Sequence, residues 1–161
     1  DTPDRGRGML QARDIMTTEV LTVSPETSIS ELSKILENRK IGGLPVVDKD
    51  GRLKGVITQS DLVERARDLE LPPAINIMDF HFYLQIPSHM IHKVEKMLGT
   101  TVGDCMSPNP VTVAPDTPIS RIAALMEKQK VHTIPVLEGG KIVGVIGKMD
   151  LVRAMAREAG E

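Results

Sequence analysis

Gly55-Val56-Ile57-Thr58-Gln59-Ser60-Asp61 reads as a buried strand that runs directly into a helix opening on a hydroxyl and a carboxylate. Nearly the same words return as Gly144-Val145-Ile146-Gly147-Lys148-Met149-Asp150, so the chain is one unit built twice. The repeat holds at an offset of 90 from Asp14/Asp104 through Val47/Leu137 and at 89 after Lys49-Asp50-Gly51 and Gly139-Gly140. That change falls in a turn, where losing a residue costs least. Over residues 14–47 and 51–63 the two copies share 19 identities in 47 aligned positions, and about a third of the mismatches are apolar swaps.

Working outward, each copy reads as strand, helix, hairpin, helix. Leu21-Thr22-Val23 is expected as a short strand, and Ser24-Pro25-Glu26-Thr27 as a turn into a helix carrying Ile29, Leu32, Ile35 and Leu36. In the second copy Thr117-Pro118 predicts a capping hydroxyl before a proline at the first helical position, followed by Ile119, Ile122, Ala123 and Met126. Ile41–Val47 and Val131–Leu137 are apolar strands whose prolines suggest an edge. Each turns through an acidic or glycine loop into the strand ending at Ile57 or Ile146, and a helix follows over 59–69 or 148–158. The fold class is therefore α/β (α+β). One unit of about 60 residues leaves an apolar sheet face bare, so two should pack with pseudo-twofold symmetry and a cleft between them.

The boundaries read as a flexible tail over 1–11, with Met9 as a candidate native start, a first repeat over 12–70, a linker over 71–101 and a second repeat over 102–158. The linker holds every aromatic residue, Phe80, Phe82 and Tyr83, in a stretch that either shields apolar surface or docks a partner. After Pro87-Ser88 a helix is expected, with Ile91, Val94 and Leu98 on one face; His89 and His92 on it lack a third metal ligand and read as solvated.

Composition excludes several classes of function. With 40% hydrophobic and 26% charged residues and a net charge of -2, the chain is ordinary globular protein with no general attraction for nucleic acid. No apolar run approaches the roughly 20 residues that a membrane helix requires, no signal peptide is visible, and a cytoplasmic protein is expected. The single cysteine, Cys105, stands opposite Ile15 in the repeat and reads as an inert core thiol. No nucleophile with its base, metal cluster or phosphate-binding glycine loop is visible, so the chain is not read as an enzyme and no metal site is expected.

The Asp-x-Met openings at Met16 and Met106, the Pro-x-Thr turns, the proline-bearing strands and Gly-Val-Ile-Thr-x-x-Asp together resemble the CBS domain. The pair, over about residues 12–158, is similar to the tandem arrangement called a Bateman module. The resemblance implies a regulatory module that binds an adenosyl ligand (AMP, ADP, ATP or S-adenosylmethionine) between the repeats, with or without a divalent cation. It also implies a disk-like homodimer and an unknown regulated protein; the alternative is a dimerisation or interaction scaffold that holds no ligand.

By spacing alone, Thr58 and Asp61 fit a capping box as well as a ribose site. The resemblance favours ribose. It places the adenine along Ile41, Gly42, Gly43, Leu44 and Pro45, where the glycines let a ring approach the backbone. It adds Met16 and Thr22 from the opening of the first copy, and Thr133 and Pro135 from the matching strand of the second. It implies further that His132 reaches the phosphate of the ligand held by the first copy, with Lys130 as a second cation. The second copy keeps Asp150 but has Gly147 in place of Thr58, so its site is expected to bind more weakly or not at all.

Overall fold

The computed structural model describes residues 10–39, 41–70 and 88–160. Residues 1–9 of the tail expected over 1–11, the aromatic linker stretch and the side chains of His89, Ile91 and Leu98 lie outside the described residues; the last two tail residues are engaged with the second copy, Leu10 through its carbonyl, which accepts from Ile119 N–H at 3.0 Å, and Gln11 by a bridge to Pro118.

The first copy runs α1 (Ala12–Ile15), α2 (Ile29–Arg39), β1 (Gly43–Val47), β2 (Leu53–Thr58) and α3 (Gln59–Asp68). Helix α4 (Ser88–Gly99) belongs to the linker, and the second copy follows as α5 (Val102–Cys105), β3 (Ser107–Pro108), α6 (Ile119–Gln129), β4 (Thr133–Glu138), β5 (Lys141–Gly147) and α7 (Lys148–Gly160). Each β-hairpin is antiparallel, with Pro45 opposite Val56 and Pro135 opposite Val145. The expected strand at Leu21–Val23 is reduced to one parallel bridge, Val23 to Val46, matched by Val113 to Val136. Pro45 explains the reduction: its carbonyl accepts from Val23 N–H at 3.2 Å, but it has no N–H to extend the ladder.

The Pro-x-Thr motif is a closed turn. Thr27 N–H donates to the Ser24 carbonyl at 3.1 Å while Thr27 Oγ1 accepts from Ser24 N–H at 3.2 Å. Thr117 repeats this with Ala114. Thr117 is thus spent on its own turn and does not cap α6; Pro118 takes the N-cap position, and α6 starts without a side-chain cap. The first copy does better, because Ser28 Oγ accepts from Glu31 N–H at 3.1 Å.

The hairpin turns account for the change of offset. Asp48 N–H donates to the Arg52 carbonyl at 2.9 Å, which leaves a three-residue loop with Gly51 at φ +82°, whereas the second hairpin turns on Gly139 and Gly140 alone, at φ +60° and +79°. Asp48 Oδ1 also accepts from the backbone N–H groups of Arg52 and Asp50. The first of these, above all, holds its carboxyl below the usual carboxylate range.

The two cores do not follow the order of the repeats. Val23, Ile29, Leu32, Leu36, Leu44, Val46, Ile57 and Leu62 of the first copy are completed by Val94 and Met97 of α4 and Val102 of α5. The second core is completed by Ala12 and Ile15 of α1. Met97 joins Val94 on the buried face of α4, which the sequence reading did not include. Cys105 is half-buried against the first core, and burial pushes its thiol above the usual range, which makes thiolate scarce.

Backbone hydrogen bonds fix the exchange. Val102 and Gly103 N–H donate to Thr27 and Pro25 carbonyls at 2.7 and 2.8 Å, and Ala12 and Arg13 N–H donate to Thr117 and Pro115 at 2.8 and 2.9 Å. The residue after each opening methionine then joins the other copy's sheet: Ser107 pairs with Val56, and Thr17 with Val145. This is why each of these strands carries a glycine at the crossing point, Gly55 in β2 and Gly144 in β5. A Cβ on Gly55 would stand 2.6 Å from the Ser107 carbonyl oxygen and 3.0 Å from Met106 Sδ, and one on Gly144 would meet Met16, with its Cγ at 2.7 Å. The first obstacle is backbone and the second a flexible side chain. Gly55→Ala should therefore cost about 2–3 kcal/mol and Gly144→Ala about 1 kcal/mol, an ordering that urea denaturation of the two variants checks.

Candidate functional site

The site forms where the β1 hairpin of the first copy touches the β4 hairpin of the second. Strand β2 ends at Thr58, whose extended backbone lets α3 begin at Gln59. Asp61 lies three residues on and turns back: its Oδ2 accepts from Thr58 N–H at 2.9 Å and Thr58 Oγ1 at 3.1 Å, while Asp61 N–H donates to Thr58 Oγ1 at 3.3 Å. This is a complete capping box with a carboxylate at the positive end of a helix. The second oxygen, Oδ1, accepts from Ser107 Oγ at 3.0 Å. Ser107 comes from β3, so the carboxylate is held by both copies.

Gly43 stands opposite Thr58 in the hairpin register and against Thr133 across the copies. A Cβ there would lie 2.8 Å from Thr133 Oγ1, 2.9 Å from Thr58 Cγ2 and 3.1 Å from the Ile57 carbonyl oxygen, so the glycine is required by the crossing of the two hairpins. Its neighbour Gly42 differs. It is exposed, a Cβ would meet nothing within 4 Å, and its carbonyl accepts from Gln59 N–H at 3.0 Å. Open space beside bare backbone is what a planar ring needs to lie against the chain.

Of the residues expected from the sequence, the structure brings together Gly43, Thr58, Asp61 and Thr133, with Gly42 at the rim. Leu44 and Pro45 are buried beneath, opposite Ile57 and Val56, and Ile41 packs against the first core. Pro135 is likewise buried, in β4. His132 is exposed next to Thr133, with its carbonyl accepting from Lys148 N–H at 3.0 Å. Lys130 is exposed and takes a left-handed conformation, φ 57°, that ends α6. Met16 lies elsewhere, against Gly144 and the second core. Thr22 lines an open groove of about 760 Å³ with Ile35, Val47 and Lys34, which none of Thr58, Asp61 and Thr133 lines.

Met106 and Ser107 are the site residues that the sequence reading missed. The signal was present in the repeat, since Ser107 matches Thr17 and both place a hydroxyl after the opening methionine.

The second copy has a poorer counterpart. Asp150 Oδ2 accepts from Gly147 N–H at 2.8 Å, with no hydroxyl beside it, and Oδ1 faces Arg153 Nη1 at 3.5 Å. An exposed arginine pair of this length is worth under about 1 kcal/mol. It still engages the oxygen that Asp61 turns to Ser107.

Removing the carboxylate should be felt in stability. Asp61→Ala is expected to cost about 1–2 kcal/mol, Ser107→Ala about 0.5–1 kcal/mol, and the double variant less than the sum, because both remove the same bond. A double-mutant cycle in urea measures this; strict additivity would show that the Ser107 contact carries no energy.

Comparison with known proteins places these features in a wider set. The CBS domain family profile matches residues 12–68 and again 102–157. A CBS domain-containing protein of Dictyostelium discoideum is 32% identical over 141 residues, covering 87% of each chain. Among solved structures, the CBS domain of a CBS domain-containing membrane protein from Sphaerobacter thermophilus superposes with a TM-score of 0.70 at 27% identity, covering 92% of this chain and 90% of that one. CBSX2, a protein of Arabidopsis thaliana solved in complex with AMP, gives a TM-score of 0.67 at 27% identity, with coverage of 91% and 96%. The chain spans 57% of the full length of CBSX2. No described helix is long and apolar enough to cross a membrane.

Proposed function

We propose, from the premise that this chain belongs to the CBS domain family and carries the domain twice, that it is a regulatory module with one strong site for an adenosyl compound: AMP, ADP, ATP or S-adenosylmethionine. The observation that carries the reading is the contrast between the copies. In the first, a hydroxyl and a carboxylate stand together beside the exposed backbone of Gly42, at a point where both copies meet. In the second the hydroxyl is absent and the carboxylate faces an arginine. The AMP complex of CBSX2 supports the choice of ligand class.

Asp61 accepts the two ribose hydroxyls, an arrangement in which a charged acceptor makes its strongest hydrogen bonds. Thr58 keeps the N-cap and steadies the carboxylate. The adenine lies along Gly42 and Gly43, and His132 and Lys130 serve phosphates, with or without a divalent cation. Because Asp61 Oδ1 is engaged by Ser107 of the other copy, a ribose that takes this oxygen releases a bond between the copies. Ligand then favours a different relative arrangement of the two, and a partner protein that prefers that arrangement registers the nucleotide.

A second reading, a scaffold that holds no ligand, is favoured by one fact: both oxygens of Asp61 already have protein partners. Isothermal titration calorimetry separates the two. Saturable heat from one of the four compounds, near one ligand per chain, is expected, with ATP measured with and without Mg²⁺. Asp61→Ala should weaken binding by about 30–150-fold, which corresponds to losing roughly 2–3 kcal/mol of charged hydrogen bonding, and Asp150→Ala by less than about threefold. Equal losses from the two variants would overturn the single strong site; absence of heat from all four compounds would favour the scaffold.

A further inference from the structure

The first core closes over polar atoms that the second does not contain. Among the described residues two buried side-chain polar atoms have no hydrogen-bond partner, Ser33 Oγ and Arg65 Nε, and both belong to the first copy. The repeat puts Ala123 and Ala154 at their places in the second. Ser33 is 0% exposed on α2, whereas Ala123 on α6 is only part buried. An orphaned hydroxyl inside a core gives up its hydration and gains no bond in return.

Helix α4 accounts for the difference. It packs on α2, and of its described side chains only Val94 and Met97 are buried, both in the first core. The second core draws on no such helix: what it takes from outside its copy is Leu10 and the opening turn, Ala12, Ile15 and Met16. At its C-terminal end α4 meets a fixed point through an exposed glycine. Gly99 has open space where a side chain would stand, and Thr100 after it is buried, its carbonyl accepting from Ile29 N–H at 2.8 Å. Thr100 Oγ1 also holds the last turn of α4, donating to the Lys96 carbonyl at 2.7 Å. Beyond it, Val102 and Gly103 are bonded to the first copy independently of α4. Toward α3, Lys93 pairs with Glu70 at 3.6 Å with both side chains exposed, a contact that holds little.

We infer that α4 is a strap hinged at Gly99, which lifts from α2 while both copies stay folded. Closed, Val94 and Met97 fill one wall of the first core and Ser33 is denied water. Lifted, Ser33 Oγ is hydrated again, which offsets part of what the two apolar side chains lose. A segment with few buried side chains, joined to the rest by an exposed hinge, opens at a lower free energy than the whole molecule. The second core is closed without a matching helix, so the motion belongs to the first copy and bares one face of α2 alone. The inference does not rest on nucleotide binding, and its test needs no ligand.

Native-state hydrogen exchange, read by NMR on the full chain from zero to low urea and corrected for intrinsic rates, tests it. The amides of Val94, Glu95, Lys96 and Met97 are expected to exchange at least about tenfold faster than those inside α6. Their rates should depend little on urea, because opening exposes little surface. Val102 and Gly103 should stay in the slower, urea-dependent class. Ser33→Ala should slow the α4 amides about fivefold or more, since the closed state no longer buries an orphan. Ala123→Ser, whose hydroxyl reaches water, should change the α6 amides by no more than about twofold, the effect of helix propensity alone. Exchange of α4 and α6 at one rate with one urea slope overturns the inference, as does release of Val102 and Gly103 together with α4. So does a Ser33→Ala variant whose α4 amides exchange no more slowly than the wild type's, and so does an effect of Ala123→Ser as large as that of Ser33→Ala.

Discussion

Everything in this molecule hangs on the reciprocal backbone bonds by which the opening turn of each copy is seated in the other. Val102 and Gly103 close onto the Pro-x-Thr turn of the first copy while Ala12 and Arg13 close onto that of the second. Through these bonds Val102 and Ile15 reach cores that their own copies do not contain. A unit of this size buries too small a share of its surface to be secure alone, and exchange lets the two share what neither could supply. It also fixes where Ser107 lands, and with it the environment of Asp61.

Much of this was legible in the sequence, and the limits have physical causes. Helices, hairpins and the offset change at Asp50 came through because apolar periodicity, glycine turns and repetition all pointed the same way. The exchange was hidden by the repetition itself. When both copies carry the same opening turn, a sequence cannot say which turn fits which core, since either choice satisfies the same pattern of Met against Gly. The resemblance puts Met16 at the first site, whereas Met106 stands there against Gly55. Thr117 misled for a different reason. A threonine before a proline can serve the turn behind it or the helix ahead, and the carbonyl and N–H of Ala114 were nearer.

At the site, the structure gives Thr58 and Asp61 the capping box, one of the two roles that spacing left open. One oxygen of Asp61 and the threonine hydroxyl tie off the start of α3, and the other oxygen reaches across to the second copy. A carboxylate that caps a helix is held in one rotamer before any ligand arrives, so less freedom is lost on binding. The second copy shows what happens without the hydroxyl: Asp150 still caps through Gly147 N–H, and its remaining oxygen turns to Arg153.

The crossed seating of the opening turns also bears on the order in which a growing chain can fold. Leu62, the last buried residue that the first copy gives to its own core, is made 40 residues before Val102, which completes that core. At roughly 5–20 residues per second, translation takes about 2–8 s to cover that distance. For those seconds Leu44, Val46 and Ile57 have one wall missing, while Ala12 and Ile15 wait for a core not yet begun. The first copy therefore leaves the ribosome unfinished. The second copy must emerge before either core can close.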